Sequence, residues 1–238
     1  LIKQTHGSAF FLLIYKEYTM KWNKRFFENE EEEKSTEEKP DLMSVFNIQE
    51  KPELRVTGIY GNIEEEKCSE TIYGLHALHL TGQLEVLSDP EDENSERLMT
   101  YEPIDFFIST FGGLATEMFS VYDTIRSLRD LTPIHTHGLG KVMSAGVLLL
   151  ASGTKGERRI GKHCRVMIHG VVAGTHGHIA DVENEFAETK FTQKMYIKAL
   201  AEETNMTEKQ IKKMVDRKTN VYIDAEEAVK LGIADIIV

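Results

Sequence analysis

Cysteine is almost missing from this 238-residue chain: there are two, Cys68 and Cys164, far apart and outside any Cys-x-x-Cys pair. That scarcity excludes a disulfide scaffold and gives no sign of a structural zinc site, so a reducing compartment is the simplest setting. Proline numbers only five and glycine 17, which removes collagen-like and proline-rich low-complexity classes. Long apolar runs are missing too. Residues 9–15 (AFFLLIY) form the longest early one, far short of the roughly 20 residues a membrane-spanning helix requires. The following Lys16-Glu17-Tyr18-Thr19-Met20 supplies no small-residue cleavage site of the kind that ends a secretory signal. The sequence opens on Leu1, and Met20 is an alternative start. Aromatic residues make up 8% and scatter without a stacking or cofactor-box pattern.

What is present is acid. The formal net charge is −11, which disfavours generic binding to nucleic acid or an anionic membrane. Residues 28–41 (ENEEEEKSTEEKPD) carry eight acids against two lysines, and so hold −6 of that total. Residues 1–50 show no sustained hydrophobic period and read as an acidic, solvated, disordered leader. Residues 51–238 read as one folded domain, and 41% hydrophobic content gives the chain enough for a core.

Within that domain, residues 54–61 suggest a strand and 64–80 a helix with Ile72, Leu75 and Leu78 at helical spacing. Residues 88–100, polar with Pro90, read as an exposed loop. From Ile104 the pattern alternates: a strand over 104–109, a backbone break at Gly112-Gly113, and a helix through Met118, Val121, Tyr122, Ile125 and Leu128. A strand over 133–140, a short buried helix over 144–151 and a strand over 165–169 follow. Residues 179–203 form a long polar helix with Val182, Phe186, Ile197 and Leu200 available for packing. Thr207 with Gln210, and Asp224 with Glu227, have the spacing of N-terminal caps, and Gly232 closes the last helix. Strands alternating with helices predict an α/β fold with a largely parallel sheet.

Sites in such sheets form beyond the carboxyl ends of the strands. Three segments there carry reactive residue types: Ser109 to Gly113, Lys141 to Gly146 and Arg165 to His169. Ser144 opens a buried helix, where N–H groups and the positive dipole end can hold an oxyanion; on spacing alone the N-cap reading is the favoured one. His169 at a strand end serves as a base or as a packed, hydrogen-bonded histidine. The pairs His135/His137 and His176/His178 share strand faces, but spacing places no third zinc ligand, so they read as hydrogen-bonded or exposed. The nine methionines are dispersed as core residues.

Taken together, these segments resemble the proteolytic subunit family of the caseinolytic protease, ClpP, from about Arg55 to Val238. Gly61-Asn62-Ile63 resembles its Gly-x-Ile turn, Ile108-Ser109-Thr110-Phe111-Gly112-Gly113 its Ile-Asn-Ser-Pro-Gly-Gly, and Val142-Met143-Ser144-Ala145-Gly146 its nucleophile segment. Arg165-Val166-Met167-Ile168-His169 looks like its histidine strand, and residues 225–235 are similar to its C-terminal helix. The resemblance implies a ClpP/crotonase-like spiral of βαβ units with a protruding handle, made of a glycine-rich strand (HGVVAGTHG, 169–177) and the long helix after it. It implies a serine endopeptidase with Ser144 as nucleophile, His169 as general base, and the N–H groups of Gly113 and Ala145 as the oxyanion site. Gapless spacing puts Asn220 where the family has an orienting Asp, with Asp216, about one helical turn earlier, as the alternative third member.

The same resemblance implies no cofactor or metal in this chain, ATP being used only by a partner ATPase. The expected partners are further copies of the chain, as heptameric rings stacked into a tetradecamer, together with unfolded polypeptide substrates and a Clp-type AAA+ unfoldase. The setting would be cytoplasmic, with an organellar matrix or stroma as the alternative. Departures are Phe111 in place of Pro, a longer 88–100 loop, and a segment before Arg55 unlike the family's axial loop, so docking of the unfoldase does not carry over residue by residue. Two other readings remain: an inactive ClpR-like ring subunit, favoured by Asn220, and an acyl-CoA enzyme of the crotonase superfamily, which normally uses Glu or Asp rather than Ser and His.

Overall fold

A computed structural model describes residues 54–217 and 219–238. The 1–50 leader therefore lies outside the described residues. Arg55, nearly buried, anchors the start of the fold by donating to the carbonyls of Leu78, Glu102 and Pro103, beside the end of the first helix.

In chain order the elements are β1 (Val56–Ile63), α1 (Glu65–Thr81), β2 (Gln83–Leu87), β3 (Arg97–Tyr101), β4 (Ile104–Gly113), α2 (Ala115–Leu128), β5 (Ile134–Met143) and α3 (Ala145–Ala151). They continue with β6 (Arg159–Ile160), β7 (Arg165–Ile168), α4 (Ile179–Glu203), α5 (Glu208–Val215), β8 (Val221–Ile223), α6 (Ala225–Lys230) and β9 (Ile236–Ile237). Strands β1, β4, β5, β6 and β9 run side by side and parallel, while β7 pairs parallel with the far half of β5 and antiparallel with β8. One face of this sheet, carrying Ile59, Phe106, Ile108, Ile134 and Val142, is sealed by Leu75 of α1, Met118 and Ile125 of α2 and the whole of α3. All seven residues of α3 are buried. Each of its Val and Leu side chains contributes roughly 1.5–3 kcal/mol through burial.

The far end of the core holds a charge cluster instead of apolar contacts. The Glu203 carboxylate is buried, accepting from Arg129 at 2.8 and 2.9 Å and from the Tyr122 hydroxyl at 3.0 Å. Burial, with the Glu203 charge second, pushes the Tyr122 phenol up to about 12. Removing one partner of a buried pair strands the other, so Glu203→Ala is expected to lower the unfolding free energy by about 3–5 kcal/mol in urea titrations.

Four expectations from the sequence need correction. The chain does not break at Gly112-Gly113: β4 runs through both, and the irregularity is a bulge at Phe111, because Gly61 pairs with Thr110 while Asn62 pairs with Gly112. The 88–100 segment is loop only to residue 96; its end is β3, which pairs antiparallel with β2 over five residues. The glycine-rich 169–177 segment is not a strand within the single chain and is mostly exposed. Among the described residues no strand pairs with it, and Gly170, Gly174 and Gly177 lower its intrinsic strand preference. In α4, Tyr196, Ile197, Ala199, Leu200 and Glu203 are buried, whereas Val182 is half-buried and Phe186 exposed beneath the Lys190 ammonium, because only the C-terminal part of the helix lies against the domain.

Candidate active site

Parallel strands end on the same edge of a sheet, and here β4, β5 and β7 deliver Gly112-Gly113, Ser144 and His169 to one edge. Ser144 directly follows β5 and His169 directly follows β7. The two strands are in register, Met143 opposite Met167, and the Ser144 N–H donates to the Met167 carbonyl at 2.8 Å. Only Ile168 therefore separates His169 from Met167, whose carbonyl holds Ser144.

The backbone at Ser144 is unusual. Its φ of 56° with ψ of −122° makes it the one non-glycine residue with positive φ among those described. Such a conformation costs on the order of 1–3 kcal/mol and concentrates at functional sites. A sharp strand-to-helix turn of this kind presents the side chain outward from the end of a sheet. Ser144 occupies the N-cap position of α3, yet its hydroxyl caps nothing, so the N-cap reading of this serine fails on geometry.

Gly112 stands against this turn with φ of +103°; a Cβ there would lie 2.6 Å from the Ser144 Cβ and 3.0 Å from its Oγ. Gly112 in turn is braced by buried Thr110, whose hydroxyl accepts from the Gly112 N–H at 2.9 Å. At Gly113 a Cβ would sit 2.1 Å from the Ile63 carbonyl oxygen. The Ile63 carbonyl takes its bond from Leu114 N–H. In a parallel ladder successive N–H groups point to alternate sides, so Gly113 turns its own away from β1. Sequence reasoning singled out Gly113 and Ala145; the brace from Thr110 and the contact of Gly112 with Ser144 were missed, since neither leaves a periodic signal.

On the other side of His169, β7 and β8 pair antiparallel with Ile168 opposite Val221. His169 immediately follows β7 and Asn220 immediately precedes β8. Asp216 caps the end of α5, exposed, with its carboxylate bound to the Lys212 ammonium at 2.6 Å. Of the two candidate third members, Asn220 borders the strand that pairs with β7, whereas the Asp216 carboxylate is engaged by Lys212. Ser144 and His169 are half-buried, and among the described residues neither side chain has a hydrogen-bond partner. No buried side-chain nitrogen or oxygen there is unpaired, so the Ser144 hydroxyl and the His169 ring are in contact with solvent.

The histidine pairs lie elsewhere. His137 Nε2 meets the Asp105 carboxylate at 2.7 Å, its ring stacks on Phe107, and an Arg159 nitrogen stands 3.5 Å from both His135 and His137. Among the described residues no group of three or more His, Cys, Asp or Glu side chains is arranged to hold a metal ion. Burial pushes the thiols of Cys68 and Cys164 up to about 11, so neither is a ready nucleophile. No helix among the described residues is long and apolar enough to cross a membrane.

A profile of the Clp protease family matches residues 67–238, which includes all but the first two residues of α1, every element after it and the residues of this edge. The chain belongs to the Clp protease family. The α/β architecture described above is accordingly the ClpP/crotonase-like fold. Members similar to it include the "ATP-dependent Clp protease proteolytic subunit 2" of Chlamydia trachomatis, 35% identical over 144 residues, which cover 59% of this chain and 69% of the relative. The protein of the same name from Chlamydia muridarum is 36% identical over the same length. The "ATP-dependent Clp protease proteolytic subunit 1" of Corynebacterium glutamicum is 35% identical over 133 residues, covering 56% of this chain and 62% of the relative.

Proposed function

We propose that this Clp family member is a serine endopeptidase, the proteolytic subunit of an ATP-dependent Clp protease, with Ser144 as nucleophile and His169 as its general base. The observation that carries this reading is the strained, uncapped Ser144 at the carboxyl end of β5, in register with the strand that delivers His169. A serine hydroxyl is a poor nucleophile at its own pKa, and attack on a peptide carbonyl needs a base to take its proton. The carbonyl oxygen then becomes an oxyanion, held by the N–H groups of Gly113, which has no Cβ to block approach, and Ala145. His169 returns the proton to the leaving amine, and water resolves the acyl-enzyme by the same route. Asn220 orients the imidazole through its amide oxygen without supplying a negative charge. No cofactor or metal takes part in this chain's chemistry.

The subunit works in closed rings of its own kind, heptamers stacked as a tetradecamer, with unfolded polypeptide reaching it through a Clp-type ATPase in the cytoplasm. Exposed Ile179, Phe186 and Phe191 on the projecting part of α4, and the unladdered 169–177 segment, are surfaces that assembly would cover. Hydrolysis of a fluorogenic peptide by the purified chain, read alongside particle mass by light scattering, tests the proposal. Turnover by a particle of many subunits is expected; an assembled but inert ring would favour the ClpR-like alternative.

A further inference from the structure

Tyr196 lies on α4, far from Ser144 in sequence, and is buried. Its hydroxyl donates to the main-chain carbonyl oxygen of Ser144 at 3.3 Å. That oxygen also accepts from the Val147 N–H at 3.0 Å, which its two lone pairs allow. The Ser144 carbonyl and the Ala145 N–H belong to one peptide unit, which is planar and trans, so they point in opposite directions and turn together. The preceding peptide is already fixed by the bond from Ser144 N–H to Met167. A residue held at φ 56° has no broad backbone well to keep the next peptide in place unaided. A donor on the carbonyl also polarises the amide and strengthens its N–H.

We propose that the Tyr196 hydroxyl is a positioning group that aims and polarises the Ala145 N–H, the oxyanion donor of the peptidase reading on which this inference rests. Burial holds the phenol above its ordinary range, so it stays a donor throughout the working pH. The bond also ties the seated end of α4 to the nucleophile turn, since Ile197 and Leu200 of the same helix are packed in the core.

An interaction felt only as the oxyanion forms alters turnover and leaves ground-state binding alone. Tyr196→Phe, which keeps the ring and removes only the hydroxyl, is therefore expected to lower kcat by about 3- to 10-fold, the range one neutral hydrogen bond supplies. KM and particle mass should stay unchanged, and the rate at which a fluorophosphonate modifies Ser144 should fall by a similar factor. Incorporation of 3-fluorotyrosine at position 196, which strengthens the donor, should restore or exceed the wild-type kcat. A Phe variant with wild-type kcat and modification rate overturns the inference, and so does a loss of kcat that the fluorotyrosine protein shares. Either result, in an enzyme that Ser144→Ala inactivates, leaves the peptidase reading standing; activity that survives Ser144→Ala removes that reading itself.

Discussion

Replacing Ser144 by alanine is expected to lower peptide turnover by at least about 10⁴-fold while leaving the fold and the particle intact. The magnitude follows from serine-protease chemistry: without the nucleophile only oxyanion stabilisation and binding remain, and they supply a small part of the acceleration. Fold retention follows from the structure. The hydroxyl makes no hydrogen bond, so its loss orphans no partner, and alanine carries the same cost as serine at φ 56°. Circular dichroism and light scattering beside the kinetic assay check both halves. Residual turnover within tenfold of wild type would place the nucleophile elsewhere.

Asn220→Asp is expected to work in the opposite direction, raising kcat by about 10²-fold or more. In the serine-protease template the reverse change costs about 10⁴, mainly because the neutral amide favours the wrong imidazole tautomer and gives the imidazolium no counter-charge. Position 220 borders β8, which pairs antiparallel with the strand that ends just before His169, and on the proposed assignment a carboxylate there would have that effect. Asp216 serves as the control: its carboxylate is committed to Lys212, so Asp216→Asn should change turnover by less than about twofold, as expected of a screened surface pair. A drop on Asp216→Asn with no gain on Asn220→Asp would reverse the assignment.

How much of this was legible in the sequence varies with the physical origin of each feature. The helix over 179–203 and the capping box of Thr207 and Gln210 came through as spacing and local hydrogen bonding, both of which are local properties. Ser144 and His169 were legible as reactive types at strand ends, and the resemblance assigned their roles. The glycine-rich strand failed because a strand is defined by its neighbour, and residues 169–177 pair with none among those described. Packing of Phe186 failed for a related reason: helical period marks an apolar face but not what covers it. Spacing alone left both Asn220 and Asp216 open as the third member, since β8, with three residues, is too short to show a period. Tyr196 was invisible, since nothing in sequence links it to a carbonyl 52 positions away.

The central claim is that Ser144 is a nucleophile activated by His169, and covalent capture with a fluorophosphonate tests it most directly. Incubating the assembled wild-type protein with the probe and mapping the adduct by peptide mass spectrometry should find the phosphonyl group on Ser144. Labelling should vanish in Ser144→Ala and slow by at least about 10²-fold in His169→Ala. An assembled wild-type particle that takes up no probe, or takes it up at another residue, would contradict the account.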